Sequence, residues 1–148
     1  MTQTADPARV VVAARSWLGT PYHDQASLKG IGCDCLGLAR GVWREVVGPE
    51  PFPISPYSRD WGESGPVEVL AEGARLMMPE IDPADAEPGA LLLFRMRPRA
   101  IAKHVGILTT PDRFVHGYER LGVIEQLLTP VWRRRIAFAF LFPAPDLG

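Results

Sequence analysis

The chain has 148 residues, of which 47% are apolar and 22% are charged, and its formal net charge is −1. A chain of this length buries about 68–70% of its extended surface on folding, so its core needs no disulfide or metal. A net charge near zero provides no basic field to hold a nucleic-acid backbone. We therefore expect one globular domain over residues 1–148 that binds no nucleic acid.

The start of the chain carries no recognisable targeting signal. Residues 1–6 are polar without a basic stretch, and the apolar run at residues 10–14 is too short for export or membrane insertion. The only two cysteines, Cys33 and Cys35, are one residue apart, and a bridge between them would close a small strained ring. We expect free thiols, synthesis in the cytoplasm without a signal peptide, and no membrane insertion.

The first half of the chain predicts helices. Asp6 and Pro7 are typical of a helix start, and the apolar pattern that follows continues to Leu18 and stops at Gly19. A second helix is predicted between Asp34, a good N-cap, and Gly48. Its apolar residues recur at helical spacing: Cys35, Leu38, Val42 and Val46. Cys35 is therefore expected in the first turn of a helix.

The remaining segments before residue 80 have other patterns. Residues 19–32 are mixed polar with several glycines, which predicts a loop. Residues 49–65 are rich in proline and aromatic side chains, which indicates an extended stretch over the surface. Residues 66–77 show apolar spacing that predicts a third, shorter helix.

The second half of the chain predicts a β-sheet. Five short apolar segments, each bounded by turn residues, are expected to be strands: 90–94, 104–108, 113–118, 123–127 and 136–142. Because most connections between them are short, the sheet should be mainly antiparallel. Helices followed by strands predict an α+β fold, with the helices packed on one face of a five-stranded sheet.

Cys35 is the strongest candidate for chemistry. A helix start lowers the pKa of a thiol because unpaired backbone N–H groups stabilise the thiolate, although many cysteines on helices are only small buried apolar residues. A nucleophilic cysteine also needs a base, and His104 and His116 lie on consecutive predicted strands. If opposed residues sum to 220, the histidines face each other; if they sum to 222, they lie diagonally on one face; an odd sum separates them.

A metal-binding module is an alternative interpretation. Cys33, Cys35, His104 and His116 together could supply four tetrahedral ligands. The single residue between the cysteines is a poor match to the usual ligand spacing of two to four residues.

Several motifs together resemble the NlpC-type cysteine peptidases, which are papain-like cell-wall endopeptidases. The stretches that are similar to that family are Trp17-Leu18-Gly19-Thr20-Pro21-Tyr22, Asp34-Cys35-Leu36-Gly37-Leu38, Lys103-His104-Val105-Gly106-Ile107 and Phe114-Val115-His116. The match is closest to a branch encoded in phage and gene-transfer-agent tail clusters, through three further stretches: Gly30–Leu38, Tyr57-x-x-Asp60-Trp61 and Trp132-Arg133-Arg134. The resemblance implies a papain-like core.

The resemblance also implies roles for individual residues. Cys35 would be the nucleophile, His104 the general base, and His116 the residue that orients the imidazole. Tyr22 would lie beside the thiol, and Asp34 would cap the helix and line the subsite for the free amine of the substrate. These are family roles transferred to matching positions, and they require neither a metal nor another cofactor.

This sequence departs from the family pattern at Leu36 and at His23-Asp24. Leu36 replaces the usual serine, which removes a hydroxyl from the amine subsite. His23 and Asp24 replace the usual aromatic residue and glycine; His23 could be a third site histidine, but we expect it in an exposed loop. Cys33 has no role in the family and is expected to be a loop thiol. The basic run 133–135 is expected beside or between strands, as a solvated face or a docking contact.

The implied activity is hydrolysis of an amide in the peptidoglycan stem peptide, between D-Glu and the diamino acid, through a Cys35 thioester. The implied setting is a phage-like tail, with tail proteins as partners and action in the periplasm or cell wall. Two alternatives remain open: a structural tail component that keeps the peptidase fold, and an enzyme that transfers the acyl group to another acceptor.

Overall fold

The computed structural model describes residues 3–51 and 68–145, and these residues form helices around one main sheet. The helices are α1 (Pro7–Arg15), α2 (Cys35–Val46), α3 (Val69–Arg75) and α4 (Pro130–Arg135), with one 3₁₀ turn at Pro83–Asp85. The strands are β1 (Ser27–Leu28), β2 (Gly32–Cys33), β3 (Glu80–Ile81), β4 (Leu91–Phe94), β5 (His104–Thr110), β6 (Arg113–Tyr118), β7 (Gly122–Leu127) and β8 (Ile136–Phe140). Within the described ranges, no helix is long and apolar enough to cross a bilayer.

The predicted helix starts are confirmed. The Asp6 carboxylate accepts the Ala8 N–H at 2.9 Å, and α2 begins directly after its Asp34 N-cap. α1 ends earlier than the apolar pattern indicates, because the chain turns from Ser16 to Gly19, where φ is +88°. The beginning of the predicted third helix and most of the predicted extended stretch at 49–65 lie outside the described residues.

The main sheet is antiparallel, as predicted, but it has a sixth strand. Its order is β3-β8-β4-β5-β6-β7, and the added strand β3 pairs Glu80 with Phe140 and Ile81 with Ala139. A strand of two residues is too short to show an alternating pattern, so β3 could not be predicted from the sequence. The expected loop at 19–32 similarly contains the two-stranded β1–β2 pair.

The basic run 133–135 lies between strands β7 and β8, as expected, and Arg133 and Arg134 are exposed, but the run belongs to a helix that the sequence pattern did not predict. These arginines form the last turn of α4, whose N-cap Thr129 accepts the N–H of Trp132 at 3.4 Å. Thr129 followed by Pro130 is an N-cap with proline at the first helical position, which is a helix-start signal. It is easily missed because the apolar segments on either side have the pattern of strands.

Both faces of the sheet are covered. On one face, Leu38 and Val42 of α2 belong to the same buried cluster as Val105 and Val115 of the sheet. On the opposite face, Trp132 of α4 packs with a second cluster that contains Leu92, Phe94, Leu108 and Phe114. The main helices therefore lie on one face, as predicted, and α4 covers part of the other.

Candidate active site

A cleft of about 490 Å³ opens where the start of α2 meets the start of β5 and the end of β6. It is lined by five of the six site residues that the sequence predicts: Tyr22, Asp34, Cys35, Leu36 and His104. The sixth, His116, is fully buried and contacts His104. The fold thus brings the predicted nucleophile and the predicted base to one cleft, with His116 next to the base.

Asp34 holds the first turn of α2 in place. One carboxylate oxygen accepts the Gly37 N–H at 2.7 Å, and the other accepts the Gln25 N–H at 2.7 Å. A Cβ atom at residue 37 would lie only 1.8 Å from the backbone oxygen of Ala26, so that position requires glycine. The capping role of Asp34 is confirmed, and the close packing explains why glycine stands at residue 37.

Cys35 is the first residue of α2 and is half-buried at the cleft. Its Sγ atom lies 3.8 Å from the backbone oxygen of Lys103, directly before β5. Burial and the nearby Asp34 carboxylate raise the pKa of the thiol to about 12, although backbone N–H groups, with that of Val105 first among them, act in the opposite direction. The expected lowering of the Cys35 pKa by the helix start is therefore outweighed.

His104 and His116 lie on one face of the β5–β6 pair. Ile107 pairs with Val115 and Leu108 with Phe114, so opposed residues sum to 222, one of the two even registers considered above. The histidines are diagonal neighbours, and His104 Nε2 lies 2.7 Å from His116 Nδ1. Nδ1 of His104 is therefore the ring nitrogen that His116 does not engage.

Aromatic rings surround the two imidazoles on the α4 side of the sheet. Trp132 lies 5.8 Å from His104 and 5.2 Å from His116 between ring centroids, and the Tyr118 ring stacks on His116 at 5.1 Å. Burial first, and then the neighbouring His116 and Arg135, lower the pKa of His104 to about 3. Burial likewise lowers the pKa of His116 to about 4.

These shifts define the resting protonation state of the site. A raised thiol pKa and lowered imidazole pKa values favour a neutral Cys35 thiol and two neutral imidazoles at neutral pH. Neutral His104 can accept a proton from Cys35 during attack on a carbonyl. In this resting state His104 is in the unprotonated form that a general base requires.

Tyr22 and Leu36 complete the predicted part of the cleft. Burial, followed by the nearby Cys35, raises the pKa of Tyr22 well above its usual range, so its hydroxyl stays protonated. Leu36 is half-buried and lines the cleft with an apolar surface. His23 is exposed, as expected, whereas Cys33 is fully buried in β2 and is not a loop thiol.

The four-ligand metal hypothesis does not fit the geometry. Among residues 3–51 and 68–145, no group of three or more histidine, cysteine or acidic side chains is placed to hold a metal ion. Both ring nitrogens of His116 are already engaged, one by His104 and one by Gln126.

Gln126 is a site residue that the sequence analysis missed. Its Oε1 lies 2.7 Å from His116 Nε2. The β6–β7 register pairs His116 with Ile124 and Phe114 with Gln126, so the even-numbered residues of β7 share the face of His116. Extending the alternation argument by one strand would have identified Gln126 as the polar residue on that face.

Solved structures with similar folds are domains of the NlpC/p60 type. The NlpC/p60 domain of the peptidoglycan hydrolase SagA matches with a TM-score of 0.61 and 22% identity over 91% of this chain and 97% of that chain. An NlpC/p60 family protein from Bacillus cereus matches with a TM-score of 0.62 and 18% identity over 93% of this chain and 40% of that chain. The peptidoglycan hydrolase RipB from Mycobacterium tuberculosis gives a TM-score of 0.57 and 20% identity, covering 93% of this chain and 65% of that chain.

No protein-family model matches the sequence, and a search of curated proteins found no significant match. The structural similarity defines the fold: this chain has the papain-like α+β architecture of NlpC/p60 domains. It spans nearly the whole SagA domain but less than half of the Bacillus cereus chain.

Proposed function

We propose that the protein is a cysteine endopeptidase that hydrolyses an amide bond in the peptidoglycan stem peptide. The observation that carries this proposal is the meeting of Cys35, at the start of α2, with the hydrogen-bonded His104–His116 pair at one cleft. The same fold in peptidoglycan hydrolases such as SagA and RipB supports the choice of substrate class.

The proposed reaction is acyl transfer through a thioester. His104 takes the Cys35 proton through Nδ1 as Sγ attacks the carbonyl carbon, and the resulting oxyanion is stabilised by backbone N–H groups at the helix start, including that of Cys35. His104 then returns the proton to the leaving amine, and the C–N bond breaks. Water, activated by His104, releases the acid and regenerates the thiol.

Charges of both signs in the cleft favour a zwitterionic peptide. The acidic side chains that line it are Asp24, Asp34 and Glu119, and the basic ones are Arg97 and Lys103. A stem peptide that has been released from its sugar carries a free amine at L-Ala and carboxylates on D-Glu and the diamino acid. We propose that the amine lies toward the acidic side chains, with Asp34 in the subsite, and that the bond between D-Glu and the diamino acid is cleaved.

We further propose that the enzyme works as part of a phage or gene-transfer-agent tail, on the cell wall or in the periplasm. The support is the sequence resemblance at Gly30–Leu38 and at Trp132-Arg133-Arg134. The Tyr57-x-x-Asp60-Trp61 stretch lies outside the described residues.

Incubation with purified stem peptides, followed by mass spectrometry, tests activity and bond position together. We expect the D-Glu to diamino acid bond to be cleaved by the wild type and not by Cys35→Ala. A wild type that leaves every amide intact would contradict the peptidase function and leave a structural role for the fold. Products that carry an added amine in place of water would show acyl transfer to another acceptor.

A further inference from the structure

Gln126 contacts the end of the histidine pair farthest from the thiol. It lies on β7, and its Oε1 is 2.7 Å from His116 Nε2, while His116 Nδ1 is 2.7 Å from His104 Nε2. The three side chains form one line of hydrogen bonds across β5, β6 and β7. His116, in the middle, is fully buried and is shielded from solvent on both sides.

We propose that Gln126 is a positioning residue that fixes the tautomers of both histidines and so makes His104 a base. The effect on catalysis rests on the proposed function. The effect on structure does not, because it concerns only which nitrogen of each imidazole carries the proton.

Neutral imidazole has one donor nitrogen and one acceptor nitrogen, so a partner at one nitrogen determines the role of the other. With its oxygen toward His116, Gln126 accepts a hydrogen bond, and in this orientation His116 carries its proton on Nε2. His116 Nδ1 then accepts, and His104 must donate to it from Nε2. The remaining nitrogen of His104, Nδ1, keeps a lone pair with which to take the Cys35 proton.

Hydrogen-bond donation in the opposite direction, from residue 126 to His116 to His104, would prevent His104 from acting as a base. If an N–H donor stood in place of the Gln126 oxygen, His116 would accept at Nε2 and donate from Nδ1. His104 would then accept at Nε2 and carry its proton on Nδ1, where it could not take another from the thiol. Burial keeps both imidazoles neutral. Neither ring therefore carries a second proton that would change the direction of hydrogen-bond donation that Gln126 sets.

A neutral amide suits this position better than a carboxylate. A negative charge at residue 126 would raise the pKa of His116 and favour its cationic form. Cationic His116 would donate from both nitrogens and could no longer accept from His104. The titratable groups that face His116 are His104 on β5 and Tyr118 on β6, and the Arg135 charge on α4 acts on His104.

The test measures proton positions directly, by ¹⁵N NMR of the histidine side chains in the full-length chain without substrate. We expect wild-type His104 and His116 to be protonated on Nε2, with exposed His23 as an internal reference. Gln126→Met, which removes the acceptor at similar size, should let His116 populate both tautomers. Protonation of wild-type His116 on Nδ1, or unchanged tautomers in Gln126→Met, would overturn the proposal.

Two kinetic measurements extend the test. Gln126→Met should lower the alkylation rate of Cys35 by iodoacetamide, and kcat for stem-peptide cleavage, by about ten- to a hundredfold with little change in KM. At high pH, Gln126→Glu should have a kcat close to that of the wild type, unlike Gln126→Met. Its kcat should decrease as the pH falls through the raised pKa of His116. Leu127→Met, at an exposed neighbour on the same strand, is the matched control and should behave as the wild type.

The readouts separate this proposal from the proposed function. If the tautomers and the alkylation rate change as expected but the wild type cleaves no stem peptide, the peptidase function fails and the role of Gln126 stands. Equal alkylation rates and equal kcat in Gln126→Met and Leu127→Met, with equal melting temperatures, would overturn the role of Gln126.

Discussion

Gly117 of β6 lies directly against the backbone of Asp34. A Cβ atom at residue 117 would be 3.1 Å from the Asp34 oxygen and 3.4 Å from the Cys35 nitrogen. The strand that carries His116 therefore touches the peptide that positions Cys35. The absence of a side chain at Gly117 allows β6 to lie this close to the start of α2.

Gly117→Ala should impair catalysis more than stability. The added methyl group forces the start of α2 to move by a few tenths of an ångström, and displacements of this kind at a reacting atom cost about tenfold or more in kcat. Steady-state kinetics and thermal melting together measure the effect. Gly73→Ala on α3, where a Cβ meets nothing within 4 Å, is the control and should raise stability by about 0.5–1 kcal/mol. Wild-type kcat in Gly117→Ala would refute the positioning role.

Replacing His104 by alanine should lower kcat/KM more than replacing His116 by alanine. His104→Ala removes the group that takes and returns the proton, so its loss in kcat/KM should approach that of Cys35→Ala. His116→Ala removes only the partner of His104 Nε2 and should cost less. The measurement is kcat/KM of all three variants on one stem peptide, with melting temperatures as the control. A His104→Ala enzyme more active than His116→Ala would reverse the roles.

The relative placement of Cys35, His104 and His116 could largely be predicted from residue patterns. The Asp34 cap placed Cys35 in a first helical turn, and strand alternation allowed His104 and His116 to share a face. The sequence could not show whether opposed residues of β5 and β6 sum to 220 or to 222. The sum depends on the bulge between Leu108 and Thr110 in the β5–β6 pair. That irregularity has no sequence signal of its own.

The electrostatics of the site were the least predictable part. A helix start alone favours a thiolate, but burial and the Asp34 carboxylate favour the neutral thiol of Cys35, and burial favours the neutral imidazole of His104. Trp132, which covers both imidazoles, comes from α4, a helix too short to recognise beside the strand pattern. Burial by distant segments cannot be inferred from local spacing.

The activity should persist to unusually acidic pH. His104 acts as a base only when neutral, and its lowered pKa of about 3 keeps it neutral far below the usual imidazole value. We expect kcat/KM measured between about pH 4.5 and 8 to show no loss near pH 6.5. His116→Asn removes the second cause of the lowered pKa and should move the acid limb to higher pH. An acid limb at about pH 6.5 in the wild type would contradict a buried neutral base.

Cys35 should be alkylated faster than Cys33. Burial raises the pKa of both thiols to about 12, so the difference comes from access: Cys33 is 0% exposed, whereas Cys35 lines the cleft beside the base. Peptide mass spectrometry after short exposure to iodoacetamide gives the two rates. His104→Ala should slow Cys35 and leave Cys33 unchanged. Equal rates at the two thiols in the folded wild type would count against Cys35 as the nucleophile.

His116→Asn should retain more activity than His116→Gln. The two amides differ in reach, and the Asn Oδ1 occupies a position close to that of the His116 Nδ1 atom, which lies 2.7 Å from His104 Nε2. The Gln oxygen reaches about one bond farther, toward the place of Nε2, and must fold back to meet His104. Comparison of kcat for the two variants at equal folded fraction measures this. A clear advantage of Gln would mean that the second imidazole nitrogen, not the first, matters for the base.

Leu36→Ser should increase the preference for stem peptides that have a free L-Ala amine. Leu36 lies in the first turn of α2 and presents an apolar surface to the cleft next to Asp34. A hydroxyl there can accept a hydrogen bond from the ammonium group, and a site that bonds a polar group rejects substrates that lack it far better than an apolar site does. The measurement is the ratio of kcat/KM for free and N-acetylated peptides. Leu36→Ala is the matched control, since it removes the same bulk without adding a hydroxyl, and its ratio should stay near that of the wild type. If Leu36→Ser and Leu36→Ala give the same ratio, residue 36 does not contact the amine end of the substrate.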